Sequence, residues 1–133
     1  MHINTLVDEV QKVLDKLSAE HGEFGLAMLY NSDSLSASYN WHFIVSAPWT
    51  DKMGMVESIH LIAHALHDGM NFENRQAISR IRVLDTSDPF VQEITFLYPA
   101  ISPGAGVPIG HVRAGDITDG SGFIFHSRKP AVA

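Results

Sequence analysis

The chain predicts an α+β domain: a mixed sheet of about five strands, in the order α-β-β-α-β-α-β-β, with helices mainly on one face. Three observations carry that expectation. Apolar residues near the N-terminus recur at helical spacing, two compact apolar runs flank a turn-forming stretch, and a helical segment then separates two strand-like runs. At 133 residues, 45% hydrophobic and 18% charged, the chain has the size and composition of one globular core. One domain is expected over residues 1–128, followed by a loose tail over 129–133.

Ile3, Leu6, Val7, Val10, Val13, Leu14 and Leu17 fall on one helical stripe with polar residues opposite. Asn4 can cap this helix, Asp8 and Glu9 suit its N-terminal dipole, and Gly22 supplies the stop. Residues 24–30 and 39–46 read as strands, the second rich in aromatic and β-branched residues. Between them Asn31-Ser-Asp-Ser-Leu-Ser-Ala-Ser38 is turn chemistry and predicts an antiparallel hairpin. Along the second strand Tyr39, Trp41, Phe43 and Val45 share one face, and Asn40, His42, Ile44 and Ser46 share the other. That second face is half polar, as expected where it meets solvent or a ligand.

Ala47-Pro48-Trp49 ends the strand, because Pro cannot donate to a ladder. Thr50 or Asp51 then caps a second helix that reaches about Asp68, with Gly69 as its stop. Its apolar face reads as Val56, Ile59, Ala63, Leu66 and Met70. Residues 78–84 form a third strand, parallel to the second across the helical crossover. Asp88-Pro89-Phe90 reads as an N-cap followed by Pro at the first helical position, so 89–96 is a short helix, with a strand the competing assignment. Pro99 to Pro108 forbids regular structure, and residues 110–117 and 122–127 form a closing hairpin around Thr118-Asp-Gly-Ser121.

Composition excludes several function classes. The formal net charge is −6 and only nine Lys and Arg are present, with Arg75, Arg80 and Arg82 the nearest approach to a basic cluster, so no nucleic-acid partner is expected. The chain has no Cys, which removes disulfides, thiolate nucleophiles and Cys-ligated metals. No basic-then-apolar leader opens the chain, and no apolar run approaches the ~18 residues of a membrane span. A cytoplasmic protein with no membrane partner is expected.

The run from Glu57 to Asp68 carries the densest chemistry. His60, His64 and His67 lie three and four residues apart, so a helix places them on one stripe with Glu57 one turn upstream. Such a stripe can hold zinc or another transition metal, with His42, His111, His126 or Asp116 as further ligands. A zincin is ruled out, since Leu61 stands where the catalytic Glu would follow the first His. The plainer reading is an exposed or partner-facing helix edge. The stripe lies about 100° from the chosen apolar face, which predicts half-burial.

A second candidate is the crevice at the C-terminal ends of the parallel strands, where Ser46, Thr50 and Asp51 meet Asp85, Thr86, Ser87 and Asp88. Its carboxylates would suit a hard cation. The same residues are also explained as helix caps and a turn. The third is the loop Ser102 to Gly110, where Pro103, Gly104, Gly106 and Pro108 shape a semi-rigid surface suited to a partner. No nucleophile elbow or other catalytic set emerges, which leaves the catalytic residues unassigned. The sequence therefore reads as a protein-interaction or subunit module without catalytic activity, its partner another protein or a second copy in a homodimer. A His-ligated metal protein, possibly a hydrolase, is the alternative.

Overall fold

The computed structural model describes the backbone of residues 3–31, 41–98, 100–101, 107–114 and 117–128. Five helices and six strands follow one another: α1 (Ile3–His21), β1 (Leu26–Asn31), β2 (Trp41–Ser46), α2 (Pro48–Met53), α3 (Met55–Gly69), α4 (Phe72–Ala77), β3 (Ile78–Val83), α5 (Pro89–Leu97), β4 (Ala100–Ile101), β5 (Val107–Ala114) and β6 (Ile117–Arg128). The α+β expectation holds. The strands form one mixed sheet in the order β3-β2-β1-β6-β4, with β5 also paired to β6. Among the described residues only β2 and β3 run parallel, as the crossover between them requires, and the other pairs are antiparallel. The expected turn over residues 31–38 and the tail over 129–133 lie almost wholly outside the described residues.

The N-terminal periodicity translates directly into packing. Leu6, Val7, Val10, Val13, Leu14 and Leu17 are all buried against Ala27, Leu29, Trp41, Phe43, Val45 and Phe125 of the sheet. Full burial of one such aliphatic side chain contributes about 1.5–3 kcal/mol. Asn4 lies inside α1, so it is not the cap, whereas Gly22 does follow the last turn. Trp49 of α2, Ile62 and Leu66 of α3 and Ala77 of α4 join the same core. Four helices thus lie on one side.

The opposite face departs from expectation. Leu26, Met28, Tyr30, Ile44 and Ile124 pack there against Phe90, Val91 and Ile94 of α5. Of the face read as half polar, Ile44 and Ser46 are therefore fully buried and His42 is half-buried, while Asn40 lies outside the described residues. The helical assignment of 89–96 is right: Asp88 accepts the Phe90 amide at 2.8 Å, with Pro89 opening the helix.

The expected second helix is really two, α2 and α3, and a further helix, α4, follows it. Pro48 opens α2 itself, so neither Thr50 nor Asp51 is its N-cap; Thr50 Oγ1 instead accepts the Ala47 amide at 3.0 Å and donates to the Ala47 carbonyl at 2.8 Å. Gly54, at φ +93° and ψ 157°, breaks the run before α3. A separate α4 then begins where Asn71 caps the Asn74 amide at 2.8 Å. At the C-terminal end, β5 begins inside the segment expected to be irregular. Pro108 is tolerated there because β5 bonds only to β6 and leaves its other edge without a partner strand among the described residues. Thr118 to Ser121 lies within β6, not at the turn. Among the described residues no helix is long and apolar enough to cross a membrane.

Candidate functional site

The histidine stripe occupies the far side of α3. The buried residues of that helix are Ser58, Ile62 and Leu66, not a face centred on Ile59. At 100° per residue, His60, His64 and His67 lie about 140–160° around from Ile62. They project into solvent, and the expected half-burial is wrong: the His64 and His67 side chains are 77% and 70% exposed. Their nearest carboxylate is Asp68, 3.2 Å from His64 Nε2 and 3.5 Å from His67 Nδ1. Glu57 and His60 are exposed as well. Among the described residues no three His, Cys, Asp or Glu side chains converge as metal ligands.

The crevice residues do come together, and they bond to one another. Asp51 accepts the Thr86 amide at 3.1 Å and the Thr86 hydroxyl at 2.6 Å, pinning the loop after β3 to the start of α2. Gln92 donates to the Thr86 carbonyl at 2.9 Å. Asp88 is a helix cap and Asp85 is exposed beside it. Thr50 closes its own turn. Ser46 Oγ alone in this group is buried without a hydrogen-bond partner. These contacts account for the residue types without a ligand. Of the proposed interaction loop, Pro103, Gly104 and Gly106 lie outside the described residues, while Pro108 is exposed on β5.

Two other histidines are electrostatically unusual. Burial first, then the Arg80 and Arg82 guanidinium groups, hold His42 below the ordinary imidazole pKa. Burial also lowers His126, assisted by Arg128 and opposed by Glu23, and its Nε2 is buried without a hydrogen-bond partner. Both side chains are held toward the neutral form.

The feature that sequence reasoning missed is a groove between α3 and β3. It has a volume of about 330 Å³ and is lined by Ile59, Ala63 and Leu66 on one wall, by Ile78, Ser79, Arg80 and Ile81 on the other, and by Arg75. The apolar face read from the sequence, Val56 to Met70, is real as chemistry, but only Leu66 and Met70 are core. Ile59 and Ala63 are half-buried groove wall, and Val56 is 67% exposed. Hydrophobicity exceeds what the sheet covers. The strand wall is equally unfinished, since among the described residues β3 ends the sheet and pairs only with β2. A strand in that position presents backbone donors and acceptors outward.

Arg75 reaches the groove from α4. Its guanidinium lies 5.7 Å from the centre of the exposed Phe72 ring, and its Nε is buried without a hydrogen-bond partner. A buried donor left unmet costs on the order of 1–3 kcal/mol. Among the described residues no carboxylate forms an ion pair with Arg75, Arg80 or Arg82. The groove therefore joins apolar walls, an outer strand and guanidinium groups available to an acceptor. No protein-family model, curated protein or solved structure matches the chain.

Proposed function

We propose that this chain is a protein-interaction module, without catalytic activity of its own, that docks a segment of a partner protein in the groove between α3 and β3. The observation that carries the reading is the apolar stripe Val56, Ile59 and Ala63, left outside the core beside a strand that ends the sheet. Apolar surface contributes to folding when it is covered, at roughly 25 cal/mol per Å². Here the chain's own core covers Ile59 and Ala63 only in part and leaves Val56 exposed, and a partner would cover the rest. A groove of about 330 Å³ is at the small end of enclosed ligand sites, which run from roughly 300 to 1,000 Å³, and it suits side chains of a bound segment.

A second copy of the chain is a less suitable occupant. A symmetric antiparallel pairing of two β3 strands centred on Ile81 would set Arg80 of one copy against Arg82 of the other, twice. Like charges directly opposite are destabilising, so self-association through this edge is opposed where association with another protein is not.

The test is selection of peptide ligands from a random display library, followed by affinity measurement against two variants. Ala63→Trp fills the groove, and Val56→Asp places a charge on the exposed part of the stripe without touching the core. The expected result is at least a tenfold loss of affinity for one or both variants, at an unchanged melting temperature. Selected ligands that bind both variants as well as the parent protein would remove the groove from the account.

A further inference from the structure

Which chemistry the groove selects follows from the two sides of β3. Past the register irregularity at the start of β3 side chains alternate, so Ile81 and Val83 point toward the α1/α3 core side. Arg80 and Arg82 pair with His42 and Ile44 of the other face, and Arg80 also borders the groove. The register agrees, because Arg80 pairs with His42, and both arginines act electrostatically on that imidazole. A segment that extends the sheet at β3 would carry the same alternation. Its side chains would enter the α3 groove and meet the arginine-bearing face in turn.

Resting on the docking reading above, we infer that the occupant is an extended strand, hydrogen-bonded to the outer edge of β3, in which apolar residues alternate with Asp or Glu. The apolar residues face Ile59, Ala63 and Ile81, and the carboxylates face Arg80 and Arg82. Three of the chain's nine Lys and Arg, at positions 75, 80 and 82, gather around this one strand in a protein of net charge −6. None of the three has a carboxylate partner among the described residues. Edge arginines also discourage self-pairing, so the same residues that reject a second copy select an acidic strand. Strand addition supplies affinity through main-chain hydrogen bonds and specificity through alternate side chains.

The test uses the full chain and labelled ten-residue peptides that alternate valine with glutamate, lysine or serine, measured by fluorescence anisotropy at low salt. The glutamate peptide is expected to bind about tenfold or more tightly than the lysine peptide, given two exposed ion pairs gained against two repulsions. The double variant Arg80→Glu, Arg82→Glu reverses that order. Backbone geometry gives a second readout. Successive N–H groups of a strand point to opposite edges, so N-methylation of all valines or of all glutamates abolishes binding in one series and is tolerated in the other.

Equal affinity for the glutamate, lysine and serine peptides overturns the acidic class, and tolerance of both methylated series overturns strand addition. The library experiment separates these failures from failure of docking itself. Selected ligands that are sensitive to Ala63→Trp, yet neither acidic nor extended, sink this inference and leave the groove standing. Ligands indifferent to Ala63→Trp and Val56→Asp sink both.

Discussion

Individual residues in this chain are more often explained by local bonding than by a ligand. Asp51 and Asp88 show this best. Both are acidic residues at a strand–helix crevice, and both spend their oxygens on backbone and hydroxyl donors of the fold, one at Thr86 and the other at Phe90. Sequence could place them in the crevice because topology does, but it could not say which donors would fill their lone pairs. His126 and His42 carry a consequence for stability. Their folded pKa values are lowered, so in the unfolded chain, near 6.5, they take up protons first as the pH falls. The stability they contribute is present above about pH 6.5 and is lost progressively below it, toward the lowered folded values. Urea unfolding between pH 8 and pH 5 should show decreasing stability through that window, and His42→Gln with His126→Gln should flatten the decrease. An unchanged slope in the double variant would assign the effect elsewhere. His64 and His67, whose spacing made them the most conspicuous residues in the chain, are exposed.

Elements were legible where one periodicity governed a whole segment. The stripe from Leu6 to Leu17 predicted α1 and its buried face, and the alternation from Trp41 to Ser46 predicted β2. Segmentation was harder to read. Gly54 stands in a stretch whose neighbours are good helix formers, yet at φ +93° and ψ 157° it occupies a region essentially confined to glycine. Gly54→Ala should therefore destabilise the protein by on the order of 1–3 kcal/mol even though open space surrounds its Cα, a result that chemical unfolding can check. A change near zero would mean that the backbone relaxes at the α2–α3 junction. The face of α3 was misread for a related reason. Its apolar arc is wider than the sheet contact, and burial is centred on Ser58 and Ile62, with Ser58 donating to the Thr50 carbonyl at 3.4 Å. A polar residue at the centre of the buried face and valine outside it invert the simple rule that apolar means inside.

At the scale of the whole molecule, two cores on opposite sides of one sheet leave the β3 end as the place where apolar surface, an outer strand and arginines coincide. The α+β class and the parallel β2–β3 pair were readable, because an amphipathic helix between two strands dictates them. The groove was not, because it depends on how far α3 overlaps the sheet and on α4, a segment to which the sequence pattern assigned no element. Phe96 and Leu97 of α5 and Val107 of β5 are also exposed and apolar, and they serve as the internal control for the site. Amide hydrogen exchange of the full chain, with and without a selected peptide, tests the central claim most directly. Docking at β3 predicts slowed exchange confined to amides of residues 78–83 and the facing turns of α3, with the amides around Phe96 and Val107 unchanged. Protection centred on α5 and β5, with β3 unaffected, would contradict it.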